Sequence, residues 1–119
     1  GISEVLMQDD HHMLVLERAY ILGQSMSLRL YRIDTRTASD TLGLDQLQPG
    51  NHQSAAKTLV ADFATLGLTQ LDNTEGMTWG PVLHDVQDNG RRIRPLVVVS
   101  DDNFRSAQIT QFAAFEFIE

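Results

Sequence analysis

Acidic side chains at the ends of short apolar segments are the residues best suited to chemistry. Glu4 and Glu75 stand near the starts of two such segments, Glu17 and Asp101 directly follow two others, and Asp102 comes next. Carboxylates that converge repel one another and need a cation, or a raised pKa that leaves some of them protonated. A ligand set made of oxygen atoms favours Ca²⁺ over Zn²⁺ or copper. The pattern predicts a carboxylate site that holds calcium.

Several of these acidic positions also have a plainer interpretation. The strings Asp101-Asp102-Asn103 and Asp72-Asn73 are typical of turns. Glu17 beside Arg18 is equally consistent with a solvent-exposed ion pair. Glu75 differs because glutamate is not a turn-forming residue. The functional interpretation is therefore favoured at Glu75, and both interpretations stay open elsewhere.

Other common chemistries are disfavoured. The chain has no cysteine, which excludes disulfides, thiolate metal sites and thiol nucleophiles. It contains neither a Gly-x-Ser-x-Gly elbow nor a glycine-rich phosphate loop, which disfavours serine hydrolases and nucleotide-binding folds. The histidines lie in polar connections and are interpreted as exposed turn residues: His11, His12, His52 and His84.

Composition bounds the class of protein. A chain of 119 residues with 42% hydrophobic residues is long enough for one globular domain. Its net charge of −7 opposes binding to phosphate backbones, so we expect no nucleic-acid partner. No apolar stretch approaches the roughly 20 residues of a membrane-spanning helix, so we expect no membrane span.

The elements that must position these residues are predicted to be strands. Short apolar or alternating segments bounded by Gly, Asp, Asn and Pro are typical of antiparallel meanders. The predicted strands are 2–7, 13–16, 28–33, 57–61, 77–79, 96–100 and 111–118. Two polar excursions, 34–53 and 84–94, interrupt them, and 62–67 is expected to form one helical turn that ends at Gly67.

The strands repeat along the chain. The segments 2–6, 14–18 and 28–32 resemble 73–77, 97–101 and 111–115, with Glu4 matched to Glu75. The separation is 71 residues for that first pair and 83 for the other two, which makes the first connection of the second unit 12 residues longer. Repeated four-stranded units are typical of β-propeller blades.

We therefore predict an all-β chain made of two antiparallel blades, the C-terminal part of a β-propeller. One domain, 1–119, would contain a blade-like unit 1–66 and an incomplete unit 67–119. Two blades cannot close a ring of about 4–8. The remaining blades are expected in the same polypeptide or in a companion chain, and a free-standing β-sandwich is the rival fold. Four aromatic residues are expected to pack between blades: Trp79, Phe112, Phe115 and Phe117.

Five strings of the sequence resemble the esterase-like phytase family: 1–4, 14–18, 28–34, 72–81 and 98–104. The most specific part is the combination of Asp72-Asn73-Thr74-Glu75-Gly76-Met77 with Ser100-Asp101-Asp102-Asn103-Phe104. The resemblance covers nearly the whole chain and the C-terminal portion of a family domain. It implies a β-propeller with phosphoesterase activity.

The resemblance also implies roles for residues. It implies a shared metal-binding role for five carboxylates: Glu4, Glu17, Glu75, Asp101 and Asp102. Glu75 and Glu17 are the expected catalytic residues, and Arg18 is the expected contact to a small phosphate-ester substrate. The predicted function is calcium-assisted phosphoric-ester hydrolysis by the complete propeller. The alternative is a non-catalytic propeller that binds proteins and holds a structural metal ion.

The resemblance further implies export, so we expect a periplasmic or secreted protein. The first residue is not Met, and a strand-like pattern begins at once, which we interpret as a piece of a longer sequence. Outside the cytoplasm, millimolar calcium would fill even a site with a dissociation constant of about 10⁻⁴ to 10⁻³ M.

Overall fold

The computed structural model describes residues 1–20, 26–83 and 87–119, and this part of the chain is all-β. Its strands are β1 (Ile2–Met7), β2 (His12–Tyr20), β3 (Met26–Asp34), β4 (Ala56–Asp62), β5 (Thr74–Trp79), β6 (Gln87–Asp88), β7 (Arg91–Ser100) and β8 (Gln111–Ile118). The predicted fold class is confirmed. None of the helices in these ranges is long and apolar enough to cross a membrane.

The first sheet, sheet 1, is an antiparallel meander in the order β1-β2-β3-β4. Side chains alternate between its faces, so Leu14 and Leu16 face the core and Val15 faces the opposite side, where it is also buried. β2 is longer than the predicted 13–16 because Glu17 and Arg18 continue the pairing with β3. Backbone pairing does not require apolar side chains, so hydropathy alone underestimates the length of the strand.

The second sheet, sheet 2, has β7 at its centre, paired with β5 on one edge and β8 on the other. The predicted excursion 84–94 is wrong in part, because β6 pairs with the first residues of β7. Asn89 and Gly90 form the turn with φ values of 52° and 82°, as Asn-Gly hairpins require. His84 lies outside the described residues, and so does its predicted exposure.

The connection 34–53 and the turn 62–67 agree with expectation. Residues 34–53 hold one short 3₁₀ turn, Thr35–Thr37, whose start is capped by the Asp34 carboxylate. The predicted turn at 62–67 is a second 3₁₀ turn, Phe63–Thr65, followed by Gly67 with a φ of 74°. This turn carries Phe63 into the core.

One core lies between the two sheets. Its buried side chains come from both of them: Leu14, Leu16, Leu28, Leu30, Phe63, Met77, Leu96 and Val98. Phe63 packs edge-to-face on Phe115 with ring centres 5.4 Å apart, and Trp79 packs on Phe117 at 5.2 Å. The predicted packing role is confirmed for Trp79, Phe115 and Phe117. Phe112 is 75% exposed instead, because a spacing of three residues places it on the other face of β8 from Phe115.

The internal repeat is visible in the strand register. β1-β2-β3 of sheet 1 corresponds to β5-β7-β8 of sheet 2, and both first strands contain a one-residue β-bulge, at Ser3 and at Glu75. Counted from the bulges, Ser3 corresponds to Glu75 and Glu4 to Gly76. The sequence alignment that matched Glu4 to Glu75 is therefore wrong by one residue. The match of 28–32 to 111–115 is also wrong by one, because Leu16 pairs with Leu30 as Val99 pairs with Phe112. Within the described residues the two sheets do not form a closed ring, and the blade boundaries 1–66 and 67–119 stay a prediction.

Candidate functional site

The candidate site lies where the end of β2 meets the start of β5. Arg18 leaves sheet 1 there, and its Nη1 donates a hydrogen bond of 2.8 Å to Oε1 of Glu75 on sheet 2. The same carboxylate oxygen accepts a 2.6 Å hydrogen bond from Nδ2 of Asn73. The bulge at Glu75 takes its side chain out of the regular alternation of β5, which directs it to this junction. Two of the predicted site residues are thus in direct contact.

Glu17 lies apart from that pair although it precedes Arg18 directly. Neighbouring residues of a strand face opposite sides of the sheet, so Glu17 lies on the outer face of sheet 1. There its carboxylate is ion-paired with Lys57, whose ammonium also stands 3.9 Å above the centre of the Tyr31 ring. The interpretation of Glu17 and Arg18 as one surface pair is wrong, since each has a different partner.

Glu4 is near the junction without joining it. Its Oε1 accepts a 2.9 Å hydrogen bond from the N–H of Val5. Glu4 also lines a hollow of about 240 Å³ together with Gly76, Val99 and Phe112. The hollow is mostly apolar, so Glu4 is the charged group at its margin.

Asp102 shows the turn geometry that its sequence suggested. Its Oδ1 accepts a 2.9 Å hydrogen bond from the N–H of Phe104, and its carbonyl oxygen accepts one of 2.8 Å from Arg105. Asn103 and Phe104 have positive φ values of 50° and 55°, so the chain turns sharply here. Asp101 is exposed, and its carbonyl oxygen accepts a hydrogen bond from Nδ2 of Asn103.

Asp72 is an acidic residue for which the sequence left both a turn and a functional role open. Its side chain is almost completely buried, with 4% exposure, and accepts four hydrogen bonds. The donors are the N–H groups of Asn73 and Ile109, both at 2.7 Å, and the amides of Gln108 at 3.0 Å and Gln70 at 3.1 Å. Burial alone would raise the pKa of Asp72, but these hydrogen bonds outweigh burial and hold the pKa below its usual value.

This hydrogen-bonded carboxylate fixes the loop between β7 and β8 to the segment that precedes β5. It thereby holds the loop of Asp101 and Asp102 close to the start of the strand that carries Glu75. No local pattern indicates this role, because Ile109 is 37 residues away in the sequence. The Asp-Asn string was consistent with a turn or with an acidic site, and neither interpretation indicates this contact.

The described residues do not form a metal site by themselves. Within them, no three His, Cys, Asp or Glu side chains are grouped so as to hold an ion. Glu75 and Glu17 are each neutralised by a basic side chain. The oxygen atoms of the Asp72 carboxylate already accept hydrogen bonds from N–H groups. The fit to calcium is therefore incomplete in this part of the chain, and calcium stays a prediction.

Comparison with protein families gives a match over residues 1–104 to the model named Phytase-like, described as esterase-like activity of phytase. The matched range contains β1 to β7 and all the predicted site residues. Neither the curated proteins nor the solved structures gave a match.

Proposed function

Because the chain belongs to the phytase-like family, we propose that its protein is a phosphoric-ester hydrolase. The observation that carries the proposal is the contact between Arg18 and Glu75 at the junction of the two sheets. It brings together a guanidinium, a group suited to bind phosphate, and a carboxylate, a group suited to accept a proton. Both residues lie in the range that matches the family.

Arg18 would bind the phosphate group of the substrate. A guanidinium presents several donors in a planar fork that fits phosphate oxygens, and it stays charged at all relevant pH values. Arg18 is 28% exposed and is held by one ion pair, so a phosphate can compete with Glu75 for it.

Glu75 would act as the general base. Oε1 of Glu75 lies 2.8 Å from Nη1 of Arg18. A phosphate that binds the guanidinium would replace this ion pair, and the Glu75 carboxylate beside it could then accept a proton from a water molecule. Glu17, the second residue predicted to be catalytic, is held by Lys57 on the outer face of sheet 1. We therefore assign the principal role to Glu75.

Calcium belongs to the proposal for the complete protein. Glu4, Glu75, Asp101 and Asp102 would contribute oxygen ligands, whereas Glu17 lies on the opposite face of sheet 1, paired with Lys57. When bound, the ion would supply positive charge to the phosphoryl group. The ligand set needs oxygen atoms beyond those that the described residues bring together.

The test is turnover of phytate and of a generic phosphodiester by the complete protein, with and without EDTA. Glu75→Gln is expected to lower kcat by about 10²- to 10⁴-fold, the usual contribution of a general base. Asp45→Asn, a change of the same chemistry in the exposed connection before β4, is expected to leave kcat unchanged. Unchanged activity in the Glu75→Gln variant would remove Glu75 from the mechanism.

The competing function is a non-catalytic module that binds proteins and holds a structural ion. The pairing of Glu75 and Glu17 with basic side chains favours it, since neither carboxylate is free in this structure. Absence of turnover on every ester, combined with retained folding, would support this alternative.

A location outside the cytoplasm is part of the proposal, since calcium is abundant there. Cell fractionation of the full-length protein, with detection in the periplasm or the medium, tests it. Recovery in the cytoplasmic fraction alone would contradict it.

A further inference from the structure

The connection between β7 and β8 opens where the corresponding hairpin of sheet 1 stays paired. Ser100 pairs with Gln111 as Glu17 pairs with Arg29 in sheet 1. Beyond Glu17 the strands β2 and β3 continue for three more pairs, whereas β7 and β8 end and residues 101–110 form a loop. The two connections enclose eleven and ten residues, so chain length does not prevent pairing here. The open loop, as we call residues 101–110, therefore has a shape that the repeat does not require.

The open loop has a fixed conformation although it forgoes strand pairing. The buried Asp72 carboxylate accepts hydrogen bonds from the N–H of Ile109 and the amide of Gln108, which anchors one end of the loop. At the other end, Oδ1 of Asp102 accepts a 2.9 Å hydrogen bond from the N–H of Phe104. Binding to a loop that is already ordered costs little conformational entropy.

Phe104 is the residue of the open loop whose state is least favourable. Its ring is fully exposed, and its φ of 55° lies in the left-handed region, which is rare for a bulky side chain. The described part of the chain therefore gains no burial from this ring and keeps its backbone strained. Residues strained in this way are concentrated at functional sites. An exposed aromatic ring on a fixed loop is thus a candidate contact for a ligand.

The open loop borders the candidate site and carries a negative charge. It begins directly after Ser100, the cross-strand partner of Thr74, and Thr74 precedes Glu75. The loop contains the carboxylates of Asp101 and Asp102 against a single guanidinium, that of Arg105. This balance opposes a second anionic group of a ligand and does not act on an uncharged ring. The loop therefore suits the apolar part of a substrate whose phosphate lies elsewhere.

We infer that Phe104 contacts the organic group of the phosphoric ester and makes the site selective for esters of aromatic alcohols. The phosphate would lie on Arg18, and the aromatic ring of the substrate would pack on the Phe104 ring in an offset or edge-to-face arrangement. Phytate is the less suitable substrate, because its additional phosphates would meet Asp101 and Asp102. The inference rests on the proposed hydrolysis and names the substrate class of the same site.

The first test measures binding of two phosphonates to the complete protein by calorimetry. Phenylphosphonate and methylphosphonate carry the same anionic group, and their P–C bonds are not hydrolysed by an esterase. The wild type is expected to bind phenylphosphonate about 2- to 10-fold more tightly, the factor that one aromatic pair contributes. Phe104→Ser should abolish this preference, and Phe104→Tyr should retain it. Leu42→Ser, at a residue 97% exposed in the connection before β4, is the matched control and should behave as the wild type does.

The second test measures turnover of phenyl phosphate and of ethyl phosphate by the same proteins. Phe104→Ser is expected to raise KM for phenyl phosphate by about 2- to 10-fold with kcat unchanged, because the ring contact is the same in the ground and transition states. Both constants for ethyl phosphate should stay as in the wild type.

The outcomes separate this inference from the proposed hydrolysis. Equal affinity of the wild type for the two phosphonates, or an unchanged preference in Phe104→Ser, overturns the inference, while turnover of the esters supports hydrolysis. A wild type that binds neither phosphonate and hydrolyses neither ester overturns both. A Phe104→Ser protein that unfolds at a lower temperature than Leu42→Ser shows that Phe104 packs in the complete protein, which also overturns the inference.

Discussion

Arg18 and Glu75 contribute little to stability, and this bears on their role. Their side chains are 28% and 47% exposed, and ion pairs of such exposure stabilise proteins by about 0–1 kcal/mol. A bulge that directs Glu75 to this contact interrupts the pairing of β5 with β7. The equivalent bulge at Ser3 shows that this interruption belongs to the repeated strand pattern, so the functional argument rests on the contact between Arg18 and Glu75 alone.

Outside the hydrophobic core, Asp72 is the residue whose removal should lower the free energy of unfolding most. Asp72→Ala leaves the N–H of Ile109 and the amide of Gln108 without their acceptor, and each of these part-buried hydrogen bonds contributes about 0.5–1.5 kcal/mol. We expect a lower free energy of unfolding and faster amide hydrogen exchange in the loop 101–110. Asp45→Ala, at an exposed position, is the control.

The same residue should make stability sensitive to acid. The pKa of Asp72 is lowered in the folded chain. The ionised carboxylate therefore adds to the free energy of unfolding in full above the unfolded pKa of about 3.9, and this contribution is lost as the pH falls through the folded pKa. Urea unfolding below pH 4 should therefore depend less steeply on pH in Asp72→Asn than in the wild type. Equal slopes in the two proteins would show that this carboxylate does not couple folding to protonation.

Among the strands, the pairing of β5 with β7 depends on a glycine. A Cβ at position 76 would lie 2.9 Å from Cγ1 of Val99, and the β-branched Val99 side chain has little freedom to move away. Gly76→Ala is expected to destabilise the chain by about 1–3 kcal/mol, as overpacking does. Thermal or urea unfolding measures the loss.

Two further variants identify the cause of that loss. Gly43→Ala has no atom within 4 Å of its new Cβ and should be nearly neutral. The double variant Gly76→Ala with Val99→Ala removes the close contact and should regain part of the stability. If Gly43→Ala is as destabilising as Gly76→Ala, steric contact with Val99 is not the reason.

The sequence predicted those strands that form one short apolar or alternating segment. β1, β3 and β8 do so, and their predicted bounds are close to the observed ones. The first half of β7 was missed because Arg91, Arg92 and Pro95 interrupt the apolar run, although they are paired in the sheet. Strand extent there depends on the Asn-Gly turn and on the partner strand, which hydropathy does not record.

The site was predicted less completely than the fold, because it depends on register. The sequence identified Arg18 and Glu75 but had no means to place them in contact across two sheets. The face on which Glu17 lies follows from the alternation of side chains along β2. Its ion pair with Lys57 joins residues 40 positions apart in the sequence. The role of Asp72 was missed for the same reason, since two of its four donors lie in a distant loop.

At the scale of the whole molecule, the two sheets share one core, so they should unfold together. Phe63 leaves sheet 1 on a 3₁₀ turn, is 1% exposed, and packs on Phe115 of sheet 2. Phe63→Ala is expected to lower the free energy of unfolding by about 3–5 kcal/mol, a large part of the roughly 5–15 kcal/mol typical of a domain. Phe104→Ala makes the same chemical change at a fully exposed position and should have little effect. Trp79, in sheet 2, reports the transition by fluorescence, and circular dichroism reports both sheets. If the two signals of the Phe63→Ala variant separate on urea unfolding, with Trp79 unchanged where circular dichroism is lost, the sheets are independent units and the shared core does not couple them.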